Sequence, residues 1–346
     1  MMADFRCLHC QLMDLRIMER YVPGVSSKPL VPPRSAPGPA ASRNAARREW
    51  GQNFFRSAAA ARRFSEQLED SYFPTGFPAG ALTVEIGAGS GRVTKALAAA
   101  GRPLLAVEID IHWARRLAAE SLPDVTVVNE DFLTLRLPRQ PVRLIGNLPF
   151  VSGTGILRRC LDLGPDLMRG GVFLLQREYV GKRTGVWGGN LFNAQWEPWY
   201  AFGEGLAFSR HEFSPVPRAD TSTLLVAPRR RPAVPWSERA GYQRFAQEFF
   251  DTGRMTVGDA AHKVLRRGHA RFARGAGVRP DDRLKDLTAQ DWAALYRAYR
   301  AGREDRAGDP GRGGGRGPPP PPRGRPAGRP PPPRGDKKKK THHKFG

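Results

Sequence analysis

Short β-type runs alternate with helix-compatible stretches in the first half of the chain, and this alternation constrains the fold more than any other feature. Four β-type runs recur at intervals of about 20 residues: Leu82–Ile86, Leu104–Ile109, Val125–Val128 and Arg143–Ile145. Helix-compatible stretches, Arg92–Ala100 and His112–Glu120, separate the first three runs. Such alternation predicts a parallel sheet with helices on both faces. A fifth strand is predicted at Val172–Gln176 and a late strand at Thr223–Val226.

The flanking segments have a different composition. Ser57–Asp70 is predicted to be a helix with Ser57 as its N-cap. From Ser237 onward, apolar residues recur at helical spacing, most clearly in Tyr242–Phe250 and Asp291–Ala301. Proline-rich residues 1–44, and residues 303–346 rich in Gly, Pro, Arg and Lys, cannot bury a core and are predicted to be disordered. We therefore predict an α/β domain at 45–230 and a small helical domain at 231–302.

The net charge points to a polyanionic partner. The 346 residues carry a formal charge of +23, and residues 303–346 hold 13 basic and 4 acidic side chains, which leaves +14 on the rest. A body that is basic without its tail is typical of nucleic-acid-binding proteins.

Cysteine content and hydropathy argue against several classes of protein: disulfide-rich, zinc-binding, membrane-spanning and secreted. Three cysteines exclude a disulfide framework, and the single pair Cys7 and Cys10 lacks the second pair of a zinc site, so no metal is expected. Neither an apolar run of membrane-spanning length nor an apolar signal-peptide block is present. We expect a cytoplasmic monomer that does not associate with membranes.

A glycine-rich loop follows the first strand. Gly87, Gly89 and Gly91 lie between a predicted strand and a predicted helix, where a backbone without Cβ atoms allows close approach of a ligand. A dinucleotide-binding fingerprint would need a third glycine at position 92, where this chain has Arg92. A binding site for a pyrophosphate is therefore less expected here. The loop therefore indicates a nucleotide-like cofactor that lacks a pyrophosphate.

Acidic residues at the ends of neighbouring strands identify that cofactor. Glu108 ends the second strand and can accept from both hydroxyls of a ribose, and Asp131, after the third, can bind an adenine amino group. Open α/β sheets bind ligands at this edge. Glu85 disfavours phosphate and suits a cofactor that carries a sulfonium and an ammonium. The set indicates S-adenosylmethionine.

The tetrapeptide Asn147-Leu148-Pro149-Phe150 follows the fourth strand and indicates the reaction. The exocyclic nitrogen of adenine is a poor nucleophile because its lone pair is shared with the ring. The Asn147 side-chain carbonyl and the Leu148 backbone carbonyl can both accept from that nitrogen and draw it toward a tetrahedral shape. Pro149 stiffens the turn and Phe150 offers a ring for base stacking. We expect methyl transfer to the amino group of a nucleobase.

With these motifs, the chain from Arg47 to Ala301 resembles the rRNA adenine N6-methyltransferases, specifically the erythromycin-resistance (Erm) branch. The matching segments are Gln52-Asn53-Phe54, Glu85–Gly91, Glu108-Ile109-Asp110, Asp131-Phe132, Asn147–Phe150, Gln176–Glu178 with Lys182–Gly185, and Phe213–Pro217. The resemblance implies a class I S-adenosylmethionine-dependent methyltransferase: a Rossmann-like, seven-stranded and mostly parallel sheet with a small C-terminal α-helical domain.

The resemblance also implies roles for single residues. Cofactor contacts would come from Asn53, Phe55, Glu85, Gly87, Gly89, Glu108, Ile109, Asp131, Phe132 and Asn147. The catalytic group would be Asn147, Leu148, Pro149 and Phe150, with Phe213 near the target base. Candidates for RNA contact are Arg47, Arg48, Lys182 and Arg183.

The implied substrate is one adenine in the peptidyl-transferase loop of 23S rRNA. Its methylation blocks macrolide, lincosamide and streptogramin B antibiotics. Alternatives are a KsgA-like enzyme that dimethylates 16S rRNA, a DNA adenine methyltransferase, and a non-catalytic nucleic-acid-binding protein of the same fold.

Overall fold

The structure is a computed structural model that describes residues 53–68, 81–265 and 269–307. The predicted N-terminal arm, Arg47, Arg48 and nearly all of the predicted C-terminal tail lie outside these residues. By its internal contacts the chain divides after Gly302 into two units, and the elements described below lie in the first, apart from the end of the last helix.

Seven strands form one sheet with the order β4-β3-β2-β5-β6-β9-β7. The strands in the described residues are β1 Phe54–Phe55, β2 Leu82–Ile86, β3 Leu104–Glu108, β4 Val125–Asn129, β5 Val142–Asn147, β6 Met168–Gln176, β7 Tyr200–Phe208, β8 Phe213–Ser214 and β9 Thr221–Pro228. Strands β2 to β6 run parallel, whereas β9 is antiparallel to both β6 and β7. This confirms the predicted seven-stranded, mostly parallel sheet.

Helices cover the sheet and continue beyond it. They are α1 Ala58–Glu66, α2 Arg92–Ala98, α3 Ile111–Ala119, α4 Gly153–Leu161, α5 Arg177–Arg183, α6 Leu191–Trp196, α7 Arg239–Asp251, α8 Val257–Leu265, α9 His269–Gly275 and α10 Ala289–Ala307. Ser57 caps α1 as predicted, because its hydroxyl accepts from the Ala60 N–H at 3.1 Å. Asp110 caps α3 in the same way through the His112 N–H at 2.8 Å.

The central strands β2 and β3 are buried along their whole length because both faces of the sheet are covered. Every residue of β2 and β3 is buried, as expected for parallel strands between two helical layers. The short strands β1 and β8 pair with each other antiparallel, with Phe55 opposite Phe213. This pair connects the start of the described chain to a segment almost 160 residues later.

The sheet and the C-terminal helices share one continuous apolar core. Trp199 is fully buried between them; its ring meets Tyr242 edge-on at 5.3 Å, and its Nε1 donates to the Val234 carbonyl at 2.7 Å. The Tyr242 hydroxyl donates to the Ala194 carbonyl at 2.7 Å. Helices α7 to α10 are therefore packed onto the sheet, and the boundary after residue 230 stays a prediction.

Several elements were not predicted from the sequence, among them β7 and α4. Strand β7 contains Gly203 and Gly205 and shows no regular alternation of buried and exposed residues. Helix α4 begins at Gly153, where a Cβ would lie 3.0 Å from a Leu175 methyl group, so a glycine permits close packing of helix on strand. In both cases packing decides the conformation and local propensity does not.

No helix in the described ranges is long and apolar enough to cross a membrane. Within the same ranges, no cluster of three or more His, Cys, Asp or Glu side chains is arranged to hold a metal ion. Cys160 is a free, buried thiol in α4.

Candidate active site

The glycine loop lies at the carboxyl end of β2 and folds over β3. The N–H groups of Gly87 and Ala88 both donate to the Val107 carbonyl, at 2.8 and 3.1 Å. Gly87 has φ +73° and is exposed, and a Cβ there would meet nothing within 4 Å. At Gly89, with φ +50°, a Cβ would overlap the Phe54 ring. Gly87 therefore borders open space for a ligand, whereas Gly89 makes room for a neighbouring side chain.

Glu108 is fixed at the end of β3 by two backbone donors. Its Oε2 accepts from the Gly89 N–H at 2.7 Å and its Oε1 from the Asp110 N–H at 2.9 Å. The side chain is 1% exposed, and burial raises its pKa although both N–H groups act in the opposite direction. Each carboxylate oxygen has a second lone pair, so this group can still accept from two hydroxyls.

Asn129, at the end of β4, supports this strand end and was not singled out from the sequence. Its Nδ2 donates to the carbonyls of Glu108 and Ile109, both at 2.9 Å. The available signal was a polar side chain at the carboxyl end of a predicted strand. The two bonds hold the backbone beside Glu108 in place.

Glu85 lies behind the glycine loop and is almost fully buried. Its side chain is 2% exposed, and Oε2 has no hydrogen-bond partner among the described residues. Burial is the main cause that raises the pKa of this carboxyl to about 8, and the charge of Glu108 adds to it. A buried, unpartnered carboxyl oxygen next to an open glycine loop suits a cationic ligand.

The ends of β3 and β4 present two of the predicted residues, Ile109 and Asp131, at the open edge. Ile109 is 37% exposed, and Asp131 is half-buried, with its Oδ1 accepting from the Leu133 N–H at 2.9 Å. The neighbouring Phe132 ring is buried in the main core. Ile109 and Asp131 are therefore accessible to a ligand, while Phe132 contributes packing beneath them.

Asn147 ends β5 and is oriented by the backbone of the N-terminal motif. Its Nδ2 donates to the Asn53 carbonyl at 2.6 Å. The turn after it is also fixed: the Leu148 N–H donates to the Leu174 carbonyl at 3.1 Å, and the Gly153 N–H to the Pro149 carbonyl at 2.8 Å. Phe150 is half-buried and the next residue, Val151, is 96% exposed. This arrangement directs the acceptor end of the amide away from Asn53.

The aromatic residues of β1 point in opposite directions. Phe55 and Phe213 are buried, with ring centroids 4.8 Å apart, in a cluster with Phe64 and Phe208. Phe54 lies on the other side, over the glycine loop and 5.1 Å from the Trp113 ring. The implied ligand roles of Phe55 and Phe213 stay predictions, and their rings are core components in this structure. Phe54 belongs to a segment that was matched from the sequence but was given no role of its own, because strand alternation places adjacent side chains on opposite faces without showing which one faces the core.

The two predicted RNA contacts in α5 have different surroundings. Lys182 is exposed and donates to Glu178 at 2.8 Å. The Arg183 guanidinium is half-buried, 4.1 Å from the Phe192 ring centroid and 4.5 Å from that of Tyr179, and donates to Asn190 at 3.2 Å. Lys182 is accessible to a polyanion, whereas Arg183 also holds α5 against α6.

Taken together, the strand ends provide two kinds of chemistry at one edge of the sheet. Gly87, Glu108 and Asp131 can hold a nucleoside, with Glu85 behind them as a buried acid. Asn147 and the Leu148 carbonyl provide oriented acceptors, and Phe150 an adjacent ring. The described residues offer positioning groups and no paired acid and base.

The chain matches a known protein family over most of its length. The model of the family described as "Ribosomal RNA adenine dimethylase" matches residues 43–300. An rRNA adenine N-6-methyltransferase of Corynebacterium diphtheriae is 33% identical over 222 residues, which cover 64% of this chain and 82% of the relative. The mycinamicin-resistance protein MyrB of Micromonospora griseorubida is 33% identical over 79% of this chain and 88% of its own length.

A solved structure shares the fold. The crystal structure of the 23S rRNA methyltransferase ErmE aligns with a TM-score of 0.59 and 23% identity, over 71% of this chain and 98% of that one. At this identity the match supports the class I methyltransferase architecture and says nothing further about the site.

Proposed function

Because the chain belongs to the ribosomal RNA adenine dimethylase family, we propose that it transfers a methyl group from S-adenosylmethionine to N6 of an adenine in the peptidyl-transferase loop of 23S rRNA. The names of its relatives support this target, since they include rRNA adenine methyltransferases and a mycinamicin-resistance protein. The expected consequence is resistance to macrolide, lincosamide and streptogramin B antibiotics.

The observation that carries the proposal is the hydrogen bond from Asn147 Nδ2 to the Asn53 carbonyl. It assigns the nitrogen end of the amide to the protein and leaves the oxygen end as an acceptor for the substrate. With the Leu148 carbonyl, Asn147 Oδ1 would accept from the amino group of the target adenine and orient its lone pair.

The cofactor residues fit S-adenosylmethionine. Glu108 would accept from the ribose hydroxyls, Asp131 from the adenine amino group, and Ile109 would contact the adenine ring, while Asn53, Phe55, Phe132 and Gly89 would shape the pocket. Gly87 borders open space, and Glu85 supplies a buried acid for a cationic ligand. When bound, the cofactor supplies a methyl group activated by a sulfonium.

The target base would leave its stack and enter the pocket, at a cost of a few kcal/mol. Phe150, held by Pro149, would stack on the base. A general base is not needed before attack, because the nitrogen loses its proton only after it has become cationic. Catalysis would therefore come from orientation and from fixed dipoles.

The RNA would be held by phosphate contacts. Lys182 supports this role because it is exposed near the end of α5. Arg47, Arg48 and Arg183 remain further candidates, and we propose that a single copy of the chain acts on the RNA.

Mass spectrometry of 23S and 16S rRNA after incubation with the protein and labelled S-adenosylmethionine tests the proposal. We expect N6-methylated adenine in the 23S peptidyl-transferase loop, and the mass shift distinguishes one methyl group from two. Label in 16S rRNA alone would assign the chain to the small-subunit branch of the family. No label in either RNA would overturn the proposal.

A further inference from the structure

A basic groove lies beside the glycine loop, and none of its cationic residues belongs to the site described above. It is open, encloses about 1100 Å³, and is lined in part by five cations: Arg56, Arg62, Arg92, Lys95 and Arg116. All five residues are exposed. They come from the loop before α1 and from the helices α1, α2 and α3, so folding gathers charges that are up to 60 residues apart in the chain.

The acids that line the groove do not neutralise it. The lining contains one carboxylate, Glu120, which pairs with Lys95 at 2.8 Å. The four arginines therefore line the same concave space with no further carboxylate among the lining residues to pair with them. Like charges gathered in this way repel one another and create a positive potential that attracts anions.

The groove also has an aromatic wall continuous with the cofactor loop. Phe54 and Trp113 line it, with ring centroids 5.1 Å apart, and the Arg116 guanidinium lies 5.5 Å from the Trp113 centroid. Ser90, between Gly89 and Gly91, forms the border with the glycine loop. A ligand in the groove would thus lie directly next to the glycine loop of the proposed cofactor site.

We propose that this basic groove binds the sugar-phosphate backbone of the RNA substrate, at nucleotides flanking the target adenine. Arginine guanidiniums donate in pairs to phosphate oxygens, and such contacts position a nucleic acid without reading its sequence. The proposal rests on the proposed function for the identity of the RNA. The chain's own tail is a poor occupant, because residues 303–346 carry 13 basic and 4 acidic side chains and would be repelled.

Salt-dependent RNA binding tests the groove independently of catalysis. In the double variant Arg62→Gln/Arg116→Gln, two phosphate contacts are lost, so the slope of log K against log salt should fall by roughly 2 for a duplex and somewhat less for single strands. Affinity for a 23S rRNA transcript should fall about tenfold or more at low salt. The matched control is Arg136→Gln/Arg139→Gln, which removes two exposed arginines from the connection between β4 and β5.

Three readouts separate the possible explanations. We expect KM for RNA to rise with kcat unchanged, the affinity for S-adenosylmethionine to stay at the wild-type value in calorimetry, and Arg62→Lys/Arg116→Lys to restore most of the binding. Equal salt slopes for the groove variant and the control variant would overturn the proposal that the groove binds the RNA backbone. A wild-type protein that binds the transcript with the full slope but transfers no methyl group would overturn the proposed function and leave the groove standing.

Discussion

The side-chain amide nitrogen of Asn147, Nδ2, lies 2.6 Å from the backbone carbonyl oxygen of Asn53. One residue ends β5 at the centre of the sheet, and the other precedes β1, 94 positions earlier in the chain. The bond therefore makes the orientation of the proposed catalytic amide depend on the placement of the N-terminal motif. If the side chain at position 147 had only hydrogen-bond acceptors, it would be repelled by the Asn53 carbonyl oxygen.

Replacing Asn147 should abolish methyl transfer while the fold persists. Asn147→Ala removes both the oriented acceptor and the bond to Asn53, and we expect the single-turnover rate to fall about 10²–10³-fold, as when a fixed dipole is removed from an active site. Because the Asn147 side chain is only half-buried, its loss should lower the free energy of unfolding by only about 1 kcal/mol. Asn147→Asp, which cannot donate to Asn53, should be equally inactive. Wild-type rates in either variant would refute the mechanism.

Substitution of Phe150 should mainly lower activity, whereas substitution of Phe213 should mainly lower stability. Phe213 is 1% exposed within the aromatic cluster, so Phe213→Ala should lower the free energy of unfolding by about 3–5 kcal/mol. Phe150 is half-buried beside Asn147, and Phe150→Ala should cost about 1 kcal/mol of stability but much of the activity, through lost base stacking. Denaturant unfolding and kcat/KM for RNA measure the two effects. If Phe213→Leu, which keeps the core filled, were as inactive as Phe150→Ala, Phe213 would have to contact the base.

The two glycines Gly87 and Gly89 should respond differently to alanine. Both have positive φ, so each substitution carries a backbone cost of about 1–2 kcal/mol. Gly87→Ala places a methyl group in open space and should mainly weaken S-adenosylmethionine binding, as measured by calorimetry. Gly89→Ala overlaps the Phe54 ring and should be the more destabilising in a thermal melt, with partial relief in the Phe54→Ala background. The reverse ranking of stabilities would contradict this division of roles.

Glu85 should make stability depend on pH. Its folded pKa of about 8 lies above the ordinary value of 4.5, so the folded state holds the proton more tightly than the unfolded chain. The free energy of unfolding should thus be highest below about pH 4.5 as far as this group is concerned, and fall by up to ~1.4 kcal/mol per pH unit until pH 8. Melting curves of the wild type and Glu85→Gln between pH 5 and 8 check this. Parallel curves for the two proteins would contradict the assigned burial.

Cofactor binding should release a proton from Glu85. At pH 7 a carboxyl with a pKa of about 8 is about nine-tenths protonated, and a nearby cation favours its charged form. Calorimetric titrations with S-adenosylmethionine in buffers of different ionisation enthalpy should show net proton release, which should disappear in Glu85→Gln. Release that persists in that variant would point to a different group.

The regular part of the fold followed from the sequence, because short and largely apolar runs mark the parallel strands β2 to β6 and helical stretches separate most of them. The orientation of the Asn53–Phe55 stretch was harder to predict, since two adjacent phenylalanines give no indication of which one faces the core. Pairing with Phe213, far along the chain, decides that question. Glu85 and Glu108 were recognised by position, but the burial of Glu85 behind the loop and the two N–H donors on Glu108 depend on contacts between strands. Sequence periodicity carries no information about such contacts.

Trp199 lies at the junction of the sheet and the C-terminal helices, and this limits how the chain can be recombined with its relatives. A chimera joined at residue 231 would take Tyr242 and Val234 from one parent and Trp199 from the other, although these residues pack and hydrogen-bond together. A crossover between β6 and α6 would keep the whole Trp199 contact set within one parent. Exchange of the helical segment to alter RNA preference should therefore begin upstream of α6.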